Sequence, residues 1–244
     1  MHCPDRTDRF LDGRVQATQA QGGFRSGLDA VMLAAAVPAR AGATALELGT
    51  GAGVASLCLL ARESSLRLTG VEKDPALAAL AAANARANGM MADFVCADIF
   101  AMPSELRRDF ELVFSNPPFH GPDGLAPSDV RRAVALRDNR QLQNWLKIGL
   151  QRTVSGGFFT TILRTDRLDE ALAALPAGGV TTFPLWPRAG VPAKRAILRV
   201  TKGSRAPFTL AAGLVLHHAD GSFTAEAEAV LRRGEPLALP GGHL

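Results

Sequence analysis

The chain has 244 residues, of which 47% are hydrophobic and 20% are charged, and this composition excludes intrinsically disordered and fibrous proteins. Lysine and arginine exceed aspartate and glutamate by 27 to 23, and the net charge of +4 favours a polyanionic partner without identifying it. The three cysteines are far apart and lack metal-ligand spacing, which argues against a disulfide framework or a structural zinc site and predicts a cytoplasmic protein.

The first predicted element is an apolar helix that follows Phe24-Arg25-Ser26-Gly27-Leu28-Asp29. Ser26 and Asp29 have the spacing of a capping box, with Asp in place of the usual Glu, and so predict the start of this helix. Arg25 has no role in such a start. The apolar stretch 30–37 is too short to cross a membrane, and no targeting segment is visible.

Residues 43–163 alternate short apolar strands with helical patterns, which is typical of βα units that build a parallel sheet. The predicted strands are 43–48, 66–71, 94–97, 110–115 and 158–163. The predicted helices are 54–61, 75–88 and 141–153, and Gly89 ends the second of them.

After Pro176 the pattern changes to strands joined by turns rich in proline and glycine. The predicted strands are 181–185, 196–200 and 214–217, and we expect them to complete the same sheet as antiparallel strands. Nothing marks a domain boundary. We therefore predict a single domain over 1–244, divided into an N-terminal segment and helix (1–42), a cofactor-binding core (43–163) and C-terminal strands (164–244).

A glycine-rich turn lies between the first predicted strand and its helix, and it reads Glu47-Leu48-Gly49-Thr50-Gly51-Ala52-Gly53. Glycines at a helix N-terminus permit a tight turn and the close approach of a nucleotide-type ligand. The spacing is GxGxG with an acidic residue two positions earlier, not the dinucleotide fingerprint GxGxxG, which favours a cofactor without a pyrophosphate. A glycine-rich turn alone can also have a purely structural role, since such turns join strands to helices in α/β proteins that bind no ligand there.

Acidic residues follow the next two strands. Glu72, with Lys73 beside it, ends the second strand 19 residues after Gly53, where a carboxylate can accept both hydroxyls of a ribose. Asp98 follows the third strand, where it can accept a hydrogen bond from an adenine amino group, and it equally suits a helix cap.

The tetrad Asn116-Pro117-Pro118-Phe119 directly follows the fourth strand, at the edge where open α/β sheets bind ligands. An exocyclic amine on a planar group is a poor nucleophile because its lone pair is delocalised. The Asn116 side-chain oxygen and the Pro117 carbonyl can accept its two N–H bonds and stabilise positive charge developing on the nitrogen. The prolines add no competing donor, and Phe119 can stack on a planar substrate. We therefore predict that the tetrad is catalytic.

With these motifs the chain resembles the class I S-adenosylmethionine-dependent methyltransferases that modify amines through an NPPY/F tetrad. The resemblance implies a Rossmann-like α/β fold with a seven-stranded, mostly parallel sheet, an antiparallel last strand and helices on both faces. It implies S-adenosyl-L-methionine as the cofactor. The glycine turn would surround its methionine part, Glu72 would hold the ribose and Asp98 would meet the adenine.

A narrower resemblance links residues 24–34 to the bacterial tRNA1(Val) adenine N6-methyltransferases, in which this segment lies over the cofactor. The stretches 142–168 and 217–231 are also similar to that family. Arg25 and Asp29 thereby become candidate pocket residues, whereas Trp145 is assigned to the core. The implied cofactor-binding residues are Arg25, Glu47, Gly49, Gly51, Gly53, Glu72, Lys73, Asp98 and Asn116.

Basic residues favour RNA as the partner. From Pro187 to Arg205 there are six basic residues and no acidic one, and more basic residues follow the tetrad. The candidate RNA-binding residues are Phe119, Arg131, Arg132, Lys194 and Arg195.

The resulting hypothesis is methylation of adenine N6 in the anticodon loop of a tRNA, where an unpaired base can reach a pocket. Two alternative targets stay open: Phe119-His120 is also similar to ribosomal RNA guanine N2-methyltransferases, and the amide of a protein glutamine presents the same planar amine at N5. A nicotinamide-dependent oxidoreductase would need GxGxxG spacing, and an RNA-binding module without chemistry would not need the tetrad. We expect no metal and no membrane partner, and both a monomer and a homodimer remain possible.

Overall fold

The structure is a computed structural model that describes residues 6–20, 25–118 and 141–240. The strands are β1 (Arg6–Phe10), β2 (Val15–Gln19), β3 (Thr44–Leu48), β4 (Arg67–Glu72), β5 (Asp93–Cys96), β6 (Phe110–Ser115), β7 (Thr153–Arg164), β8 (Val180–Trp186), β9 (Arg195–Thr201), β10 (Thr209–Leu210) and β11 (Leu214–Val215). The helices are α1 (Leu28–Ala36), α2 (Val54–Arg62), α3 (Pro75–Ala87), α4 (141–151), α5 (Leu168–Ala173) and α6 (Ala225–Leu231).

Nine strands form one mixed sheet in the order β10-β8-β9-β7-β6-β3-β4-β5, with β11 also paired to β8. Strands β5, β4, β3, β6 and β7 are parallel, and β9 is antiparallel to both of its neighbours, β7 and β8. The short β10 and β11 add parallel pairing to β8 at the edge. This topology confirms the predicted Rossmann-like sheet: the seven strands β3 to β9 match it, with β9 antiparallel, and the two-residue strands β10 and β11 are additional.

The expectation that all the C-terminal strands are antiparallel was wrong. Strand β9 runs antiparallel to β7 and β8, whereas β8 runs in the same direction as β7. Helix α5 lies between β7 and β8 in the chain, and a crossover of this kind returns the chain parallel to the strand it left. The sequence analysis missed α5 because six residues are too few to show a helical period. The predicted strand 214–217 shortens to the two residues of β11.

The parallel register brings four strand ends to one edge of the sheet. Leu48 lies opposite Val71 on one side and Ser115 on the other, and Glu72 lies opposite Cys96. The chain leaves all four strands at this edge, which is where doubly wound sheets bind ligands. The glycine turn, the two acidic strand ends and the tetrad therefore meet at what is called here the ligand edge.

Helices cover both faces of the sheet, as predicted. On one face α1 and α2 pack against Leu112 and Phe114 of β6, and on the other α4 packs against Val113. This alternation along β6 follows from the two-residue period of a strand. Within the described residues, no helix is both long and apolar enough to span a membrane.

An antiparallel hairpin of β1 and β2 precedes α1, and the sequence analysis did not predict it. It docks on α3 through two asparagine side chains that act like a neighbouring strand. Asn84 accepts from the Thr18 amide and donates to the Thr18 carbonyl, both at 2.9 Å, and Asn88 makes the same pair of bonds to Gln16 at 2.9 and 2.7 Å. Asn84 also donates to Ala52 in the glycine turn at 2.9 Å, so it ties the hairpin to the ligand edge.

The predicted capping box at Ser26 was also wrong. Helix α1 begins at Leu28 with Gly27 as its N-cap, and no side chain caps it. The Ser26 amide instead donates to Gln19 Oε1 at 2.8 Å, because the returning hairpin offers a buried side-chain acceptor. Asp29 is left to bind a partner from β9.

Candidate functional site

The glycine turn is held in a conformation that favours glycine. Gly49, Gly51 and Gly53 have φ values of +69°, +56° and +85°, in the left-handed region that side chains with a Cβ disfavour. The amides of Gly49 and Thr50 both donate to the Val71 carbonyl, at 2.8 and 3.1 Å, and so clip the turn to β4. A Cβ on Gly51 would meet nothing within 4 Å, so the centre of the turn faces open space.

Glu47 lies beneath this turn and organises it. Its carboxylate is 3% exposed and accepts hydrogen bonds from the hydroxyls of Thr50, at 2.7 Å, and Ser56 in the first turn of α2. Burial raises its pKa to about 7, although the donors from Ser56 and Thr50 oppose this rise. Glu47 therefore stabilises the turn and the start of α2 from below; direct contact with a cofactor stays a prediction.

Glu72 presents a carboxylate fixed at both oxygens. One oxygen accepts from the Gly51 amide at 2.9 Å and the other from the Asp74 amide at 3.0 Å. Each carboxylate oxygen can accept a second hydrogen bond, so Glu72 can still take two ribose hydroxyls. Lys73 beside it is exposed, and its predicted contact with a cofactor has no further support in the geometry.

Asp98 lies at the end of β5 and is exposed. Its Oδ1 accepts from the Phe100 amide at 2.9 Å and caps the short 3₁₀ turn Ile99–Ala101. This confirms the prediction that Asp98 acts as a helix cap. Only Oδ1 is used by this cap, and the second carboxylate oxygen is the candidate acceptor for an adenine amino group.

The described part of the tetrad begins directly after β6. Asn116 Oδ1 is buried and has no hydrogen-bond partner among residues 6–20, 25–118 and 141–240. Pro117 is buried and Pro118 is exposed. A buried amide oxygen without a donor is costly, and it marks a place where a ligand donor is accommodated. Phe119, Arg131 and Arg132 lie outside the described residues.

Trp145 of α4 packs against the glycine turn, which the sequence analysis did not foresee. A Cβ on Gly49 would lie 2.8 Å from Cζ2 and 3.0 Å from Cη2 of this indole, so glycine is required here by space as well as by φ. The ring also meets Phe100 edge-on, with centroids 6.0 Å apart. The tryptophan is buried, which confirms its assignment to the core.

The segment before α1 is pinned by a carboxylate of the hairpin. Arg25 donates through Nε to Asp8 Oδ2 at 2.8 Å and through a second nitrogen to Oδ1, and Gln19 donates to Asp8 at 2.8 Å. The hydrogen bonds from Arg25 hold the pKa of Asp8 below its ordinary value. Arg25 is thus engaged by the chain itself, and its predicted binding to a cofactor stays a prediction.

The two candidate RNA-binding residues at the start of β9 differ in accessibility: Arg195 is bound by a side chain of α1, and Lys194 is exposed. Arg195 Nε donates to Asp29 Oδ2 at 2.8 Å, linking the first turn of α1 to β9 at the ligand edge. Lys194 is exposed beside it. The role of Asp29 is therefore to bind Arg195, not to cap the helix. Lys194 is the more accessible of the two cations.

The predicted basic run 187–205 does not form one surface. Arg199 is 4% exposed and donates to the Ala36 carbonyl at the end of α1. Because β9 crosses the sheet, Lys202 and Arg205 lie at the opposite edge from Lys194, and Lys202 Nζ donates to backbone carbonyls beside β7. The six basic residues therefore do not share one phosphate-binding surface, since a strand of seven residues spans about 20 Å, and RNA contact by Lys194 and Arg195 stays a prediction.

The ligand edge fits S-adenosylmethionine on three observations. The turn at Gly51 is open to a ligand, Glu72 retains lone pairs for ribose hydroxyls, and Asn116, after the strand β6 that neighbours β3, offers an acceptor that is unpaired among the described residues. These residues lie on three neighbouring strands, which is the span that a nucleoside with an amino-acid tail requires.

Comparisons with known proteins agree with this fit. The family model of the methyltransferase small domain matches residues 25–142. A curated tRNA1(Val) (adenine(37)-N6)-methyltransferase of Porphyromonas gingivalis is 31% identical over 173 residues, which cover 67% of this chain and 68% of that protein.

Two solved structures share the fold. A predicted O-methyltransferase from Agrobacterium tumefaciens matches with a TM-score of 0.70 and 25% identity, covering 87% of this chain and 99% of that one. A 16S rRNA N2 methyltransferase of T. thermophilus, in complex with AdoMet and guanosine, matches with a TM-score of 0.55 and 20% identity, covering 82% of this chain and 50% of that one. The second likeness concerns the fold alone.

Proposed function

Because the chain belongs to the family of the tRNA1(Val) (adenine(37)-N6)-methyltransferases, we propose that it methylates N6 of an adenine in the anticodon loop of a tRNA. Its cofactor is S-adenosylmethionine, which supplies an electrophilic methyl group when bound. Gly51, Glu72 and Asp98 are the residues proposed to hold it, at the methionine, ribose and adenine parts in turn.

The observation that carries the proposal is the unpaired, buried Oδ1 of Asn116. This oxygen and the Pro117 carbonyl accept the two N–H bonds of the substrate amine and keep its lone pair directed out of the ring plane. As positive charge develops on the nitrogen, both acceptors stabilise it without having to move. The rigid proline backbone holds the two acceptors in place, so the chain contributes orientation and electrostatics and needs no general base.

Access of the base to this site requires an unpaired or flipped nucleotide, which an anticodon loop offers. Phe119 follows Pro118 in the chain and is proposed to stack on the flipped base. Lys194 is exposed on the ligand edge and is proposed to contact the RNA backbone.

A second candidate is guanine N2 in ribosomal RNA. It is favoured by a curated ribosomal RNA small subunit methyltransferase C of Salmonella arizonae, which is 31% identical over 121 residues, and by the Phe119-His120 pair. The same two acceptors suit a guanine amine, so the tetrad does not discriminate between the bases.

Product analysis separates the two candidates. Purified protein is incubated with S-adenosylmethionine carrying a deuterated methyl group and with unmodified transcripts of tRNA1(Val), other tRNAs and 16S rRNA in separate reactions. The nucleosides are then digested and analysed by mass spectrometry. We expect deuterated N6-methyladenosine from tRNA1(Val), located to one anticodon-loop fragment by partial nuclease digestion.

The Asn116→Ala protein serves as the matched control, because it keeps the residues proposed to hold the cofactor and loses the amine acceptor. Deuterated N2-methylguanosine in rRNA would replace the main proposal with the second candidate. Label on a protein glutamine, with both RNAs unmodified, would contradict both.

A further inference from the structure

The indole N–H of Trp145 is buried and meets no acceptor in the described part of the chain. The side chain is 7% exposed, and Nε1 has no hydrogen-bond partner among the described residues. A tryptophan N–H only donates, and a buried one normally finds an acceptor. This donor is therefore available to a ligand.

The edge of the indole that contacts the glycine turn is formed by Cζ2 and Cη2. Nε1 lies two bonds from Cζ2, through Cε2, so the N–H is close to this contact without touching Gly49. Cζ2 is the ring atom nearest to Gly49, at 2.8 Å from the position its Cβ would take. Since no acceptor among the described residues meets this N–H, a ligand seated on the turn next to Gly49 can supply one.

The turn has few donors of its own to offer such a ligand. Four of its amides already donate within the chain: Gly49 and Thr50 to Val71, Gly51 to the Glu72 carboxylate, and Gly53 to Thr50. Because these four amides are already used, a carboxylate resting on this turn gains a hydrogen bond from a donor outside it.

Neighbouring groups that bind anions in other proteins are also occupied. The N-terminus of α2 already holds the buried carboxylate of Glu47, through Ser56. The guanidinium of Arg25 is bound by Asp8. Trp145 remains as a buried, unpaired donor in contact with the turn.

We infer that the Trp145 N–H donates to the carboxylate at the methionine end of S-adenosylmethionine, which makes Trp145 a cofactor-positioning residue. The methionine carboxylate is the anionic acceptor of this cofactor, and the glycine turn is where the methionine part is proposed to lie. The inference rests on the proposed function insofar as S-adenosylmethionine must occupy the ligand edge.

The first test follows the indole N–H directly. The chain has two tryptophans, so a ¹H–¹⁵N spectrum shows two indole signals, and the Trp186→Phe variant assigns them. Trp186 is a matched internal control because its N–H already donates to the Ala212 carbonyl at 3.0 Å. On titration with S-adenosylhomocysteine, the Trp145 proton signal should move downfield while the Trp186 signal stays in place.

The second test removes the N–H and keeps an aromatic ring. Trp145→Phe is titrated calorimetrically with S-adenosylhomocysteine and with its decarboxylated analogue, which lacks only the carboxylate. Losing a hydrogen bond to a charged group should weaken binding of S-adenosylhomocysteine by about tenfold to a hundredfold. Binding of the decarboxylated analogue should be the same in the variant and the wild-type protein.

The outcomes separate this inference from the proposed function. If the wild-type protein binds S-adenosylhomocysteine and the Trp145 signal does not move downfield, the inference is overturned and the proposed function stands. Equal weakening of both ligands by Trp145→Phe also overturns it, because a purely structural role of the ring has that effect. Failure of the wild-type protein to bind S-adenosylhomocysteine would contradict both. The spectrum of the wild-type protein decides the matter even if the variant does not fold.

Discussion

The two sides of the ligand edge differ in how they use their hydrogen-bonding groups. On the cofactor side, the carboxylates of Glu47 and Glu72 are already bound by the chain's own amides and hydroxyls. The other side is formed by the tetrad and α4 and is called the acceptor side, after the methyl acceptor. Here Asn116 Oδ1 and Trp145 Nε1 are buried and unpaired among the described residues. The polar groups of the cofactor side are held in place by the protein before any ligand binds. Those of the acceptor side stay available for hydrogen bonds to a ligand. Substitutions on the first side should therefore reduce stability, and those on the second should reduce rate or affinity.

The largest effect is expected at Asn116. Asn116→Ala should lower kcat at least about a hundredfold, comparable with the loss of one preorganised hydrogen bond in a transition state. The dissociation constant for S-adenosylhomocysteine should change less than about threefold and stability by less than about 1 kcal/mol, because the removed oxygen has no partner among the described residues. Single-turnover kinetics, calorimetry and urea unfolding measure the three quantities. A large loss of stability would show that the acceptor side is structural like the cofactor side.

In contrast to Asn116, Glu47 should influence the stability of the protein, and this influence should depend on pH. Burial raises its pKa from 4.5 to about 7, so the folded protein keeps a proton that the unfolded chain releases. The contribution of Glu47 to stability is therefore fully present below pH 4.5 and is lost as the pH rises to about 7. Relative to Glu47→Gln, wild-type stability should fall on the order of 3 kcal/mol across this range. Urea unfolding of both proteins at pH 4 to 8 measures the difference, and parallel curves would refute the raised pKa.

The contact between the two sides is tested at Gly49. Gly49→Ala and Gly51→Ala both place an alanine at positive φ, but only Gly49→Ala also forces a Cβ against Trp145. Gly49→Ala should therefore be about 1–3 kcal/mol less stable than Gly51→Ala, since overpacking adds to the backbone strain. Urea unfolding of the two variants gives this difference directly. Equal stability would mean that the indole moves away at no cost, and the packing between the two sides would not be rigid.

The smallest effect is expected for the RNA contact. Lys194→Ala should reduce the slope of log affinity for tRNA against log salt concentration by about 0.7–0.9, the value for one lost phosphate contact. Arg205→Ala is the matched control, because Arg205 is also exposed but lies at the opposite edge of the sheet. Filter binding at several salt concentrations measures both slopes. A larger change for Arg205 than for Lys194 would move the RNA surface away from the ligand edge.

Local patterns in the sequence were sufficient for most of the sheet. The strand 110–115 was predicted with its exact bounds, and the helices α2 and α3 to within one residue, because apolar periodicity and glycine stops act over a few residues. The hairpin of β1 and β2 was missed because its strands are mostly polar: only Val15 and Ala17 of β2 enter the core, and Asn84 and Asn88 supply further docking contacts. Helix α5 was missed because it is short.

By itself the sequence determined the fold class, the glycine turn, Glu72, Asp98 and the tetrad, because each belongs to a motif whose residues are close together in the chain. Only the tertiary structure decided which polar groups are already used. It assigned Arg25 to Asp8, Asp29 to Arg195 and Arg199 to the end of α1, pairings between residues far apart in the chain that no local pattern encodes. In the part of the chain that the structure describes, it also left Asn116 Oδ1 and Trp145 Nε1 without hydrogen-bond partners, and this property depends on where every neighbouring donor and acceptor lies in space.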